Sequence, residues 1–297
     1  MERDDQVRPA RSATELRGGR TITNMNKSAR VLTVLAVLLA LLASVGCNKL
    51  RARDKLNKGV QAYKNAKYED AIENFKDAVE LDPSLVNARL YLATAYMGQY
   101  IPGADSPDNN RYAEQAIDTF KQVLDQHPPK EQQIHSLKGI ASMYFQEKKF
   151  PEAKEYYEKI AQLDPNDPET YYSLAVIDWM QAYQPDQKAR AELGLKPTDE
   201  LKDKKVCEQL KQENTERVDE GIQDLNKALQ IRTDYDDAMA YMNLLYRQKA
   251  EYECDDPDQR KADLKTADDW VDKTMATKKA KAEKAGPTGI VTTESTQ

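Results

Sequence analysis

Apolar residues recur three and four positions apart along most of the chain between residues 52 and 275. This spacing gathers them on one face of a helix, whereas a half-buried strand would alternate apolar and polar positions. Residues 52–85 and 134–167 each read as two helical segments, and each segment pair closes on an Asp-Pro step. Because proline cannot continue a helix, these steps mark helix ends. The pattern therefore predicts an all-α chain built from helix pairs.

The two segments share one order of small and large residues. Small residues at a helix crossing let the backbones approach, and large residues one turn further on fill the neighbouring layer. The shared scheme resembles the tetratricopeptide repeat (TPR), a 34-residue helix–turn–helix unit. This resemblance implies an α-solenoid of about five repeats, two of them with insertions. The residues that carry it are Gly59, Tyr68, Ala71, Phe75 and Ala78, and then Ile140, Ala141, Tyr144, Phe150, Ala153 and Tyr157.

The second repeat, residues 86–129, is interrupted between its two helices. Its first helix is predicted at Val86–Gln99 and its second at Arg111–Gln126. The stretch Tyr100–Asn110 between them is rich in Pro, Gly, Asp and Asn, residues that favour turns.

The fourth repeat, residues 168–233, carries the larger insertion at residues 184–220. Its first helix is predicted at Pro168–Tyr183 and its second at Val218–Ile231. The three-and-four spacing of apolar residues extends back from the second helix, so we expect that helix to begin near Lys204.

The fifth repeat, residues 236–275, closes the predicted solenoid of residues 47–275. Asp256 is the expected N-cap of its second helix, with Pro257 in the first helical position. We expect Ala267, Val271 and Met275 to share one face of that helix. Residues 276–297 turn to Lys, Ala, Gly, Thr and Ser and are predicted to be a disordered tail.

The N-terminal part of the chain has the features of a secretory signal. Residues 31–46 are apolar and uncharged and follow two basic residues. They are too few for a membrane-spanning helix, which needs about 20. The run ends in Ala-Ser-Val-Gly-Cys and resembles a bacterial lipobox, which implies lipidation of Cys47 after removal of residues 25–46. The alternative is an uncleaved anchor.

The same resemblance implies a location. Asn48 after the cysteine is not acidic, and in the sorting rule of enteric bacteria this favours the periplasmic face of the outer membrane. Residues 1–24 precede an otherwise complete signal that could begin at Met25. They are interpreted as a misassigned start or a disordered extension.

Composition and motifs exclude several classes of function. The chain carries 44 basic and 50 acidic residues, net −6, without a basic stripe, which argues against nucleic-acid binding. It contains two His, with no spacing typical of a metal site, no phosphate-binding loop and no nucleophile elbow. We therefore expect no catalytic activity, metal or cofactor. Cys207 and Cys254 form either a disulfide or two packed thiols.

The TPR resemblance also implies a groove for a protein partner, lined by the first helix of each repeat. Aromatic residues among these positions are of the type that dominates binding hot spots, although several positions could serve only to pack repeats together. The implied groove residues are Tyr63, Leu90, Thr94, Met97, Lys138, Ser142, Phe145, Tyr172, Val176 and Trp179.

These observations favour a lipid-anchored scaffold for protein–protein contacts in the bacterial cell envelope. The alternative is a ligand-binding module in which the insertion of repeat four closes over the groove, as a lid, on a small molecule or a glycan. A stoichiometric protein partner would favour the scaffold, and a bound small molecule would favour the alternative.

The lipobox resemblance generates the first testable prediction. In a bacterial host the wild-type protein should partition into the detergent phase, because acyl chains on Cys47 bury apolar surface in the membrane. The Cys47→Ala variant should be released or should accumulate as unprocessed precursor. Phase partitioning and immunoblotting measure both properties. Normal processing with unchanged detergent partitioning in the variant would contradict lipidation of Cys47.

Overall fold

The structure, a computed structural model, describes residues 47–196, 199 and 201–285, and over these residues the chain forms ten α-helices and no strand. The predicted all-α class is confirmed. The helices are residues 47–64 (α1), Tyr68–Leu81 (α2), Val86–Gln99 (α3), Pro107–Leu124 (α4), Lys130–Gln146 (α5), Phe150–Leu163 (α6), Pro168–Glu192 (α7), Lys204–Ile231 (α8), Asp236–Glu251 (α9) and Pro257–Ala285 (α10).

Packing follows the order of the chain. From α2 to α10 each helix packs on the next, and α3 also contacts α5 while α7 contacts α9. Contacts restricted to neighbours in sequence are typical of a solenoid. The odd-numbered helices are thus the first helices of five pairs, and the even-numbered helices are the second. Over the described residues from Arg51 to Ala285 the chain forms one compact unit, and the predicted solenoid is confirmed.

Small residues lie where neighbouring helices approach most closely. Gly139 on α5 faces the buried ring of Phe120 on α4, and a Cβ at Gly139 would lie 2.4 Å from that ring. Likewise, a Cβ at Gly59 on α1 would lie 2.4 Å from the ring of Phe75 on α2. Since the interior is close-packed, a larger side chain at either glycine would have to displace a ring or a helix. The alanines predicted at crossings, Ala71, Ala116 and Ala153, are all fully buried.

The interruption in repeat two is shorter than its sequence predicts, because α4 begins at Pro107 rather than near Arg111. Ser106 is the N-cap, and its hydroxyl accepts a hydrogen bond from the Asn109 backbone N–H at 3.2 Å. The buried Asn109 side chain then organises the preceding loop. Its Oδ1 accepts from the Ile101 N–H at 2.7 Å, and its Nδ2 donates to the carbonyls of Ile101 and Ala104.

The insertion in repeat four is mostly helical. Helix α7 does not end at Tyr183 but continues through Pro185 to Glu192, and α8 begins at the predicted Lys204. Asp203 caps α8 by accepting a hydrogen bond from the Val206 N–H at 3.0 Å. Residues 184–220 therefore lengthen both helices of the pair.

The last helix departs from expectation at its C-terminal end. Asp256 caps it as predicted, accepting from the Gln259 N–H at 2.9 Å. The helix continues to Ala285, however, so the prediction of disorder is wrong for residues 276–285, and residues 286–297 lie outside the described part. Ala, Lys and Glu are strong helix formers, and Lys281 pairs with Asp236 on α9 at 2.5 Å.

The packed face of α10 also differs from the predicted one. Ala267 is fully buried, but Val271 and Met275 are 38% and 63% exposed. The buried positions instead include Asp263 and Thr274. The apolar pattern could not identify this face because polar residues lie on it. Thr274 can be buried there because its hydroxyl donates a hydrogen bond to the backbone carbonyl of Trp270 at 2.8 Å.

The close approach at Gly139 generates the second prediction. Gly139→Ala should lower the free energy of unfolding by about 1–3 kcal/mol, because the new methyl group overlaps the Phe120 ring. Gly98→Ala is the matched control. Its Cβ would meet Tyr68 at an ordinary 3.4 Å, so its stability should be unchanged or about 0.5–1 kcal/mol higher. Urea denaturation measures the free energy of unfolding of both variants. Equal values for the two would contradict a close helix crossing at Gly139.

Candidate partner-binding groove

A cavity of about 350 Å³ opens on the face formed by α3, α5 and α7, the first helices of repeats two, three and four. We call this cavity the groove pocket. Its wall combines one residue from α3 with residues from α4, α5, α6 and the start of α7. The lining residues are Met97, Phe120, His135, Lys138, Gly139, Ser142, Tyr157, Glu169, Thr170 and Ser173.

The floor of the groove pocket is apolar because α5 carries a glycine there. With no side chain at Gly139, the buried Phe120 ring of α4 lies directly beneath the cavity, and the centroid of the His135 ring lies 6.3 Å from the centroid of the Phe120 ring. Tyr157 of α6 closes another side, and its burial raises the pKa of the phenol above its ordinary value. The floor can therefore hold an apolar group, while hydroxyls at the rim can bond to a backbone.

The lysine at the rim of the groove pocket, Lys138, already has an ion-pair partner. Lys138 Nζ on α5 lies 2.6 Å from Asp167 Oδ2, and Asp167 also accepts a hydrogen bond from the Thr170 hydroxyl at 2.7 Å. Burial disfavours the Asp167 charge, but these two partners hold the pKa of its carboxyl below its usual range. The Lys138 charge at the rim of the groove pocket is therefore matched by Asp167.

Glu169 fixes the other edge of the groove pocket. Its carboxylate receives hydrogen bonds from Arg232 at 2.6 Å and from the Tyr235 hydroxyl. Both donors belong to the turn between α8 and α9, so the start of α7 is tied to the next repeat. Burial and this carboxylate raise the pKa of Tyr235, which stays protonated as the donor.

The structure brings three of the predicted groove residues together and separates the others. Met97, Lys138 and Ser142 line the groove pocket. Leu90 and Val176 are 8% and 9% exposed, which places them in the packing between helices rather than on an open surface. The predicted Thr94 hydroxyl donates to the Leu90 carbonyl at 2.9 Å within its own helix.

The predicted aromatic residues do not form one series. Tyr63 packs edge-on against Tyr68 with ring centroids 5.2 Å apart, and Phe145 packs against Phe150 at 5.7 Å, each next to its own turn. Tyr172 and Trp179 both meet the ring of Tyr241 on α9, at 5.4 and 5.5 Å. They form a separate aromatic cluster between repeats four and five.

Sequence reasoning missed seven residues in the wall of the groove pocket: Phe120, His135, Gly139, Tyr157, Glu169, Thr170 and Ser173. Phe120 and Tyr157 belong to second helices, so a search restricted to first helices could not assign them to the groove. The sequence does contain a pattern that marks them, because each lies four positions after a small residue at a helix crossing, Ala116 or Ala153.

The insertion is anchored at its tip to the last repeat. Cys207 near the start of α8 and Cys254 after α9 form a disulfide, with Cα atoms 5.9 Å apart. Beside it the buried Arg190 donates to Asp186 at 2.9 Å, to Glu251 of α9 at 2.7 Å and to the carbonyl of Asp199. Two of these contacts, the disulfide and the Arg190–Glu251 bond, run to α9 and the turn after it. The aromatic ring contacts of Trp179 are with Tyr183 and Tyr241.

Other sites expected from the sequence fall partly outside the described residues. Cys47 is exposed and unpaired at the start of α1, while the apolar run of residues 31–46 is not among the described residues. Within the described part, no helix has the length and apolar character needed to span a membrane. The same part contains no cluster of His, Cys, Asp or Glu suited to a metal ion.

Comparison with known proteins agrees with this geometry. Family models of the tetratricopeptide repeat match residues 56–131 and 135–167. A crystal structure of MamA is 14% identical, with a TM-score of 0.51 over 78% of this chain and 94% of that one. A second structure, MamA from residue 41 to its end from Desulfovibrio magneticus RS-1, is 14% identical. Its TM-score is 0.51 over 77% of this chain and 96% of that one. No curated protein sequence matches the chain.

The fold and the groove pocket together define an α-solenoid of helix–turn–helix repeats. The chain contains tetratricopeptide repeats at residues 56–131 and 135–167. The likeness to MamA, at this level of identity, concerns the fold alone. The repeats support a role as a protein–protein interaction scaffold, and proteins of this family are generally non-enzymatic.

The disulfide generates the third prediction. Reduction should lower the free energy of unfolding by about 2–5 kcal/mol, because the bond closes a long loop in the unfolded chain. Urea denaturation with and without a reductant measures this difference. The double variant Cys207→Ser, Cys254→Ser is the control and should not respond to reductant. If reductant leaves the free energy of unfolding of the wild-type protein unchanged as well, the disulfide is contradicted.

Proposed function

We propose that this chain is a lipid-anchored scaffold of the bacterial cell envelope and that its groove pocket holds a segment of a protein partner. The observation that carries the proposal is the composition of the groove pocket. Residues from three successive repeats, among them Met97, Ser142 and Ser173, converge on one cavity. A surface built from several repeats suits an extended or helical segment, because such a segment runs across the repeats.

The size and chemistry of the groove pocket favour an apolar anchor residue in that segment. A cavity of about 350 Å³ lies at the lower end of the range for ligand sites, which suits one or two side chains rather than a large cofactor. The half-buried Met97 and Tyr157 supply apolar contact. The Ser142 hydroxyl, which accepts from Gln146 at 3.1 Å, can donate to the backbone of the segment, and the Ser173 oxygen, whose hydroxyl donates to the Glu169 carbonyl at 2.8 Å, can accept from it. Central apolar anchors with a polar rim are the usual anatomy of protein interfaces.

The envelope location is supported by two independent features. The segment of residues 31–46 followed by Cys47 has the pattern of a lipoprotein signal. The disulfide between Cys207 and Cys254 belongs to an oxidising compartment, since cytosolic thiols are kept reduced. A lipid anchor on Cys47 would hold the solenoid at the membrane, on the periplasmic face of the outer membrane.

The partner can be captured at the groove pocket itself. A photo-crosslinking amino acid in place of Ser142 should give a discrete adduct with one envelope protein in intact cells, because the Ser142 side chain lines the groove pocket. The adduct is detected by immunoblotting and identified by mass spectrometry.

The matched control carries the same amino acid in place of Glu114, an exposed position on α4. It should not give the Ser142 adduct. Adducts of the same protein with equal yield at both positions, or no discrete adduct at Ser142, would contradict binding in the groove pocket.

A further inference from the structure

The groove pocket between α5 and α7 has a counterpart one repeat later, between α7 and α9. Helices α7 and α9 run in the same register, because the third residue of each, Thr170 or Ala238, is fully buried. In this register Ser173 and Tyr241 are both the sixth residue of their helices. Ser173 lines the groove pocket, so Tyr241 occupies the equivalent position at the later site.

The protein fills the later site with its own aromatic rings. The Tyr241 ring packs edge-on against Tyr172 at 5.4 Å and against Trp179 at 5.5 Å, measured between ring centroids. Tyr172 follows Lys138 by 34 positions, the length of one repeat. Lys138 and Ser173 therefore stand at the groove pocket where two tyrosines stand one repeat later, and this difference leaves the groove pocket open.

The charges at the rim of the groove pocket favour an uncharged occupant. Lys138 pairs with Asp167 at 2.6 Å, and Glu169 pairs with Arg232 at 2.6 Å. Because both charged groups have partners within the protein, a charged side chain entering the cavity would lose water without gaining a free counter-ion. A cavity of about 350 Å³ with a half-buried methionine in its wall, Met97, instead suits a large apolar side chain.

From this repeat equivalence we infer that the groove pocket takes an aromatic side chain of the partner segment. The ring would contact Met97 and Tyr157 as the Tyr241 ring contacts its neighbours, since rings pack well edge-on and against sulfur. The small side chain of Ser173 thereby determines where along the solenoid the anchor binds. This inference rests on the proposed function, because it names the residue type by which the partner is held.

The test uses N-acetyl-tyrosinamide as the probe and the NMR signals of the methionine methyl groups of the full-length protein as the readout. The Met97 methyl signal should shift because the ring of the probe lies beside it, and the signal of the exposed Met275 should not. N-acetyl-leucinamide, measured by competition, should bind about fivefold or more weakly, because it lacks ring contacts. Equal affinities for the two amides, or an unmoved Met97 signal, would overturn the inference.

A serine-to-tyrosine exchange tests the role of Ser173. Ser173→Tyr places in the groove pocket the residue that fills the later site, so addition of the probe should no longer shift Met97. The matched control Ser84→Tyr changes an exposed serine between α2 and α3 and should bind the probe as the wild type does. Wild-type affinity in Ser173→Tyr would overturn the inference. Circular dichroism checks the helix content, and if Ser173→Tyr fails to fold, the two amides on the wild-type protein still decide.

The failure of this inference differs from the failure of the proposed function, because the amides are titrated without any partner. A preference for the tyrosine amide without an envelope adduct at Ser142 would contradict the proposed partner alone. An adduct at Ser142 without that preference would contradict the aromatic anchor alone.

Discussion

The close approach of helices at residues without a side chain is the constraint on which the rest of this structure depends. Gly59 and Gly139 each admit a phenylalanine ring from the adjoining helix to within 2.4 Å of where a Cβ would stand. Each ring thereby fixes one helix against the next, and the buried apolar residues gather in three clusters along the stack, with Tyr144 packed against two of them. At Gly139 the same feature also shapes the surface, because the buried ring of Phe120 lies beneath the groove pocket.

Polar contacts then decide where repeats depart from a regular stack. In repeat two the buried Asn109 folds the interrupting loop, and in repeat four Arg190 and the disulfide from Cys207 attach the lengthened helices to α9. The lengthening also brings Glu213 and Glu216 beside Lys154 and Glu155 of α6. The insertion therefore adds surface to the second-helix side of the solenoid.

Much of this fold could be predicted from sequence because apolar spacing and Asp-Pro steps report directly on helices and their ends. Helix α3 and the start of α8 lie where the pattern places them. The pattern failed where polar groups are satisfied inside the molecule, as at Thr274 on the inner face of α10. Three residues that line the groove pocket, Met97, Lys138 and Ser142, follow from repeat register. Phe120 and Tyr157 could not be assigned from repeat register, because their place beside the groove pocket depends on how closely a neighbouring helix approaches.

Hydroxyl-radical footprinting of the protein with and without its captured partner tests the central claim most directly, because it reports the accessibility of individual side chains. Bound partner should reduce oxidation of Met97 and Tyr157 in the groove pocket. Oxidation of the exposed Met275 on α10 and Tyr91 on α3 should stay unchanged. Protection of Met275 or Tyr91, with Met97 and Tyr157 oxidised as in the free protein, would contradict binding of the partner in the groove pocket.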